Sequence, residues 1–491
     1  MYVNGFNHSI RYGRDESQMK NSEFNRSILP IILGIAILFP ISGCSLHKSE
    51  IPRPLTEMPG SYSNDEQEPS PSVGRWWEQF HDDTLNRLME EAFRNNPGIA
   101  KSYARLEQSM ATLRIADSSR GISLNIKGGG GKARQSGMAG PITGEIYNLS
   151  AAAQYEMDLW GKLKSTTNAA RFDLMASQED LKALHISISA QVADLYYLAV
   201  EQRAQLGLSD RTIASFQDTL DRVERRYQSG LIPAIDVYQS RQNLASAKAQ
   251  RPLFESNLAV TLNALSVLIG RFPDRDIGGD AVDLMVSPDF TAGVPAQLLA
   301  RRPDIEAALL RLKANDERIG AAIADRFPSF NLTGSYGGTS TKLRTLLDSP
   351  NIFWNILLEA AQPVLDSGRR KYEVQRRRAV LREYLADYHT TVLTAFKEVE
   401  DALAGIDSSE NRIQMLSETV SASENSLRLA LDRYMQGLTD YLPVLTEQLR
   451  HVTAKSNLLA ARRQLISDRI QLARAIGGEW TDSYLKQYTR Y

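Results

Sequence analysis

A 207-residue step runs through this chain. The phrase RYQSGL at 226–231 returns as RYMQGL at 433–438, 207 residues later. The same step carries Gly161, behind Asp158-Leu159-Trp160, onto Gly368, behind Leu365-Asp366-Ser367. It also carries Gly270, closing Leu268-Ile269, onto Gly477, closing Ala475-Ile476. Upstream the register slips by one. Ala116-Asp117 and Leu124 match Ala324-Asp325 and Leu332 at 208, and Asn96-Pro97-Gly98-Ile99 matches Arg302-Pro303-Asp304-Ile305 at 206. Landmarks in this order describe one large unit duplicated in tandem. Solenoids and propellers repeat every 20–50 residues or so, and are disfavoured.

Each unit reads as helix, strand pair, very long helix, tight turn, helix. From Lys162 to about Gln228 there is no proline and one glycine. Apolar residues fall at Leu181, Leu184, Ile188, Val192, Leu195 and Leu198, and again at Phe396, Val399, Leu403, Ile406 and Ile413. Those steps of three, four and seven suit helices that bury a coiled-coil-like seam. Roughly 65 residues at 1.5 Å each reach about 100 Å, a length that only neighbouring long helices can support. Gly230 and Gly437 then stand where each long helix must stop, since glycine tolerates a left-handed helix end. Pro233 suits the first turn of one return helix, and Thr439 or Asp440 could cap the other. Turn chemistry accounts for the glycines. It does not account for Leu231 and Leu438, apolar residues at tips that should face solvent, and these suggest a docking contact.

Four strands are expected, at about 122–129, 146–159, 330–336 and 353–364. Aromatics recur near their ends at Tyr147, Tyr155, Phe330, Tyr336, Phe353 and Trp354. Alternating faces with aromatic girdles are the mark of an outer-membrane barrel. Four strands cannot close, and an open edge does not survive in lipid, so the chain must oligomerise; three copies would supply twelve strands.

The N-terminus bears on compartment. Ile28 to Pro40 is an apolar run after Lys20 and Arg26, short for a membrane span and suited to an export signal. Directly after it, Ile41-Ser42-Gly43-Cys44 looks like a bacterial lipobox, with the sole cysteine as lipid anchor, and Ser45 fits outer-membrane sorting. The long segment before the apolar run leaves both Met1 and Met19 open as the start. A single cysteine gives no disulfide framework, and six scattered histidines give no metal-ligand spacing. Lys plus Arg is 57 against 58 for Asp plus Glu, a net charge of −1 that carries no nucleic-acid footprint. Hydrophobic residues at 42% allow a sizeable core. The run Gly128 to Lys132 is not a phosphate loop, because Ala133 follows the lysine where Ser or Thr is required. It is read as part of a hairpin loop, and no catalytic constellation is found.

Three further stretches stand out: Trp76-Trp77-Glu78-Gln79-Phe80 with Asp82-Asp83 and Leu85, then Tyr155 to Gly161, then Leu299 to Ile305 followed by Phe327-Pro328. In that order they resemble the opening motif, the strand-to-helix junction and the second-half signature of the outer-membrane factors, the TolC-like exit ducts, in their lipid-anchored OprM and NodT branch. The resemblance implies a mainly α fold with transmembrane β structure: a homotrimer with a 12-stranded outer-membrane β-barrel continuous with a 12-helix periplasmic α-barrel. It further implies docking of the tips, about 226–236 and 433–443, to a periplasmic adaptor that joins the duct to an inner-membrane RND transporter. Diacylglycerol and N-palmitoyl on Cys44 would be the only added groups. The expected divisions are a signal peptide at 1–43, a lipidated tether at 44–75, repeats at 76–270 and 298–477, an equatorial linker at 271–297 and a tail at 478–491. Asp236, Arg433, Tyr434, Asp440 and Thr446 are candidate gate residues. The chain departs from the family at Val444-Leu445-Thr446-Glu447, where threonine stands at a position often held by aspartate. The function expected is passive efflux of small molecules such as drugs or metal ions. The alternatives are a protein or peptide secretion duct, and a non-pore envelope lipoprotein, which would have no use for two strand pairs.

Overall fold

The structure, a computed structural model, describes residues 47–51, 74–137, 140–277, 288, 290, 301–482 and 484. Ile41, Ser42, Gly43 and Cys44 lie outside them, as do most of the tether, the linker and the tail. Among the described residues seven α-helices and four strands follow in chain order: α1 Asp83–Asn95, α2 Pro97–Ser118, β1 Ser123–Gly137, β2 Gly140–Met157, α3 Lys162–Gln228, α4 Ala234–Leu268, α5 Pro303–Ala324, β3 Ser329–Ser340, β4 Ile352–Ala361, α6 Arg369–Met435 and α7 Leu442–Ile476. The duplication holds to the residue in helix length. The long helices α3 and α6 each have 67 residues. The return helices α4 and α7 have 35 each, and α2 and α5 have 22 each. Among the described residues the left-handed glycines are six: Gly161, Gly230, Gly270, Gly368, Gly437 and Gly477. These are the residues that mark the 207-residue step. Left-handed backbone is cheap only for glycine, so each helix boundary holds its place in both copies.

The chain forms two compact units. One contains residues 118–165 and 319–374, and the other contains most of the helical chain. In the first, the four strands make one antiparallel sheet in the order β1-β2-β3-β4. Side chains opposite one another in register share a face. The pairs Leu124↔Ala153, Ile126↔Ala151, Ala151↔Tyr336, Leu332↔Leu358, Gly334↔Ile356 and Tyr336↔Trp354 make an apolar band on one face, which gives way to Lys132↔Glu145 and Arg134↔Thr143 toward the tip of the first hairpin. The pairs Asn125↔Ala152, Lys127↔Ser150, Asn148↔Thr339, Gln154↔Thr333 and Ser335↔Asn355 make the other face polar. Leu124, Ile126, Trp354, Ile356 and Leu358 are all exposed on this single chain. Such a sheet needs lipid on one side and water on the other.

The first hairpin is longer than expected, because β1 runs on to Gly137 rather than ending near Gly129. The glycine run therefore belongs to a strand and not to a loop. Gly130 pairs with Tyr147, and a Cβ on Gly130 would lie 2.7 Å from the Tyr147 ring. The aromatic ring covers the glycine and supplies the packing that glycine lacks. At the other end of the sheet, Trp160 Nε1 donates to the Pro328 carbonyl at 2.7 Å, and its ring lies 5.2 Å from that of Phe327. The Asp158 carboxylate accepts from the Leu163 and Lys164 amides at 3.1 and 2.7 Å, capping the start of α3.

In the helical unit the opening motif is structural. Trp76 and Trp77 are buried with Phe80, Phe93 and Trp480, and Trp76 Nε1 donates to Ser189 Oγ at 3.3 Å. Asp82 caps α1 by accepting from the Thr84 and Leu85 amides, and also accepts from the Tyr196 hydroxyl at 2.8 Å. The two repeats close in parallel fashion. The Asn96 side-chain amide donates to the Leu268 carbonyl at 2.6 Å, and Arg302 Nη1 donates to the Ala475 carbonyl at 3.1 Å. Part of the tether is pinned: the Glu50 amide donates to Asp316 at 2.8 Å, and the Glu50 carboxylate pairs with Arg378 at 2.7 Å. An apolar window within α3 is long enough to cross a membrane, but it is mostly buried among other helices.

Candidate functional site: the helical hairpin tips

Both long helices end in the same backbone motif. The Gly230 amide donates to the Tyr227 carbonyl at 2.9 Å and the Leu231 amide to the Arg226 carbonyl at 3.0 Å. The Gly437 amide donates to the Tyr434 carbonyl at 3.0 Å and the Leu438 amide to the Arg433 carbonyl at 2.9 Å. This paired closure satisfies helix-end carbonyls and requires a left-handed residue at the glycine. A Cβ on Gly230 or Gly437 would meet nothing within 4 Å, so conformation alone demands glycine there. A hydrophobic residue after the glycine usually packs back on the last turn. Leu231 and Leu438 do not, being 67% and 70% exposed.

The return helices start differently. Pro233 precedes α4, whereas Tyr441 precedes α7, and neither gives a side-chain cap. Thr439 and Asp440 thus do not cap α7, whose cap position is Tyr441, two residues after the one and one after the other. Proline at the second position of α7 has no N–H to be capped, which lessens the need.

Behind the tips lies a small core of Phe216, Leu220, Val223, Val237 and Leu244 from the first repeat with Ala430, Tyr434, Tyr441 and Val444 from the second. Within it the structure joins two of the candidate gate residues. The buried Tyr434 hydroxyl donates to the buried Asp236 carboxylate at 3.1 Å. Burial first, and the Asp236 charge second, raise the Tyr434 phenol above its ordinary range, so it stays a donor. Arg226 completes the arrangement. Its guanidinium lies over the Tyr434 ring at 5.1 Å and donates to the Met435 carbonyl at the end of α6 at 2.5 Å. The three groups tie the first tip to the second through a hydrogen bond, a cation–π contact and a helix-end carbonyl.

The other candidates stand apart from this latch. Arg433 and Asp440 are exposed, and the Thr446 hydroxyl donates to the Leu442 carbonyl of its own helix at 3.0 Å. Arg226 and Tyr441 escaped the sequence reading as site residues. The doubled Arg-Tyr of the two phrases was the available signal, because a pair kept in both copies has a partner to find in both.

Comparison with known proteins fits this geometry. A profile of the outer membrane efflux protein family matches the chain twice, at residues 88–271 and 294–478. The chain is 28% identical over 463 residues to the "probable outer membrane lipoprotein SilC" of Salmonella typhimurium, spanning 92% of this chain and 99% of that one. It is 30% identical over 412 residues to the "solvent efflux pump outer membrane protein SrpC" of Pseudomonas putida, spanning 83% and 87%. The fold is that of the Campylobacter jejuni CmeC outer membrane channel, with a TM-score of 0.85 at 22% identity over 91% of this chain and 98% of that one.

Proposed function

This chain belongs to the outer membrane efflux protein family, and from that premise we propose that three copies form a passive duct whose tips dock a periplasmic adaptor and an inner-membrane RND pump. It is the outer-membrane channel component of an efflux system with a TolC-like fold. The observation that supports the threefold assembly is the sheet. It has an apolar band on one face, a polar opposite face and two outer strands, β1 and β4, with no neighbour in the described chain. Lipid tolerates no open strand edge, so further copies must supply the missing pairing.

The cargo proposed is small molecules such as drugs or metal ions; the name of SrpC, a solvent efflux pump outer membrane protein, supports a small-molecule cargo. Conduction needs no chemistry from the protein, which positions a lumen and a gate. Asp236 and Tyr434 form the gate latch, and Arg433, Asp440 and Thr446 are gate residues outside that latch. Cys44 carries diacylglycerol and N-palmitoyl as a lipid anchor, a reading supported by the lipobox and by the lipoprotein name of SilC. The exposed Leu231 and Leu438 are the docking contacts.

Two variants test this. Leu438→Asp should abolish efflux while the assembled protein remains in the outer membrane; transport at wild-type levels would refute tip docking. Cys44→Ser should lose palmitate labelling, and a variant that is still acylated would refute the anchor. The barrel should insert in either case, because closed strands bind lipid more firmly than acyl chains do.

A further inference from the structure

The chain carries the Arg-Tyr pair twice but uses only half of each copy internally. Arg226 of the first repeat is engaged with the Tyr434 ring and the Met435 carbonyl of the second. Left over are Arg433 of the second repeat and Tyr227 of the first, with Gln228 ending α3 as Met435 ends α6. The unused halves are exposed: Tyr227 is 47% exposed whereas Tyr434 is 3% exposed. They are also the same kind of halves, a guanidinium in one repeat and a phenol ring beside a helix-end carbonyl in the other.

We propose that Arg433 stacks on Tyr227 of the partner subunit, repeating across each subunit boundary the clamp that Arg226 makes with Tyr434 inside the chain. The inference rests on the threefold assembly proposed above. In a closed ring the repeats alternate, first, second, first, second. The surface that a second repeat meets within its own chain is then followed by an equivalent one from the next chain. Both long helices have 67 residues and both tips close with the same hydrogen bonds, so the two clamps are built on matching backbones.

The two seams differ in one respect. Asp236 is the third residue of α4, and the third residue of α7 is Val444. The Tyr227 ring would therefore meet a guanidinium and a carbonyl but no carboxylate equivalent to Asp236. The boundary seam lacks the charge-assisted hydrogen bond of the internal one. A ring built this way parts between subunits before it parts within them.

The test uses the full-length protein in cells, with the photoreactive residue p-benzoylphenylalanine placed at Tyr227. Illumination should give boiling-resistant two- and three-chain species, with the adduct mapped to the peptide that contains Arg433. Arg433→Ala should lower the yield about 2- to 5-fold, the loss expected for an exposed cation–π contact. If the particle sizes as three copies in mild detergent but the adduct maps elsewhere, or is absent, this clamp is wrong and the duct reading stands. A single-copy particle would overturn both.

Discussion

Tyr227 and Tyr434 occupy the same position in two helices of equal length, yet one faces solvent and the other is sealed against Asp236 and Arg226. The bases of the repeats diverge in the same manner. Where the first repeat has Asn96, bonded to the Leu268 carbonyl, the second has Arg302, paired with Asp304 at 2.6 Å and with Glu398 at 2.7 Å. The backbone was copied and kept, because six left-handed glycines and the helix lengths fix it. The side chains changed wherever a repeat met a different neighbour. A duplicated unit thus acquires two kinds of seam from one sequence plan.

The largest expected effect separates the bases. Arg302→Ala takes from Asp304 its guanidinium partner and from Glu398 one of two, Arg474 remaining at 3.0 Å, and with Asp304 partly solvated should cost about 2–4 kcal/mol. Asn96→Ala, which removes only neutral hydrogen bonds, should cost about 1–2 kcal/mol. Denaturant melts of the purified protein compare them, and equal losses would erase the distinction. Next come the glycines. A Cβ at Gly270 would lie 2.4 Å from the Asn95 carbonyl oxygen, and one at Gly477 would lie 2.6 Å from that of Arg301. Alanine there combines backbone strain with overpacking and should cost about 2–4 kcal/mol. Alanine at Gly230 or Gly437 should cost about 1 kcal/mol, since only the backbone conformation is opposed.

A smaller effect depends on pH. His185 and Val392 are equivalent positions, 207 apart, and both are buried. Burial lowers the His185 pKa, only partly offset by its hydrogen bond to the Leu181 carbonyl at 2.8 Å. A depressed value means that the neutral ring stabilises the fold above the unfolded value of about 6.5. That stability declines as pH falls and is gone below the folded value. His185→Val should therefore flatten the drop in Tm between about pH 7 and pH 5. An unchanged acid limb would assign it to other groups. The smallest effect lies at the tips. Tyr434→Phe removes a hydrogen bond to a carboxylate and should raise the open fraction in planar bilayers about tenfold. Tyr227→Phe should leave it unaltered, and equal leaks from the two would show that both seams hold a carboxylate.

Much of this architecture was legible before any coordinates. The period was readable because left-handed glycines cannot be replaced cheaply, so Gly161, Gly230 and Gly270 each kept a counterpart. The long helices were readable from an uninterrupted seam. The first hairpin was not. Gly128 to Gly131 has no intrinsic reason to extend, and it is pairing with the facing strand, where Leu149, Asn148 and Tyr147 lie against its glycines, that makes it a strand. The latch was half legible. Asp236 and Tyr434 stood out by type, but their contact joins residues far apart in sequence, and Arg226 acts on the opposite repeat rather than on its own.

The strands were read as an incomplete barrel, and counting the copies that complete it tests that reading most directly. Native mass measurement of the particle extracted from the outer membrane in mild detergent should give three chains, with β structure retained. A stable particle of one or two chains that keeps its β structure would contradict it.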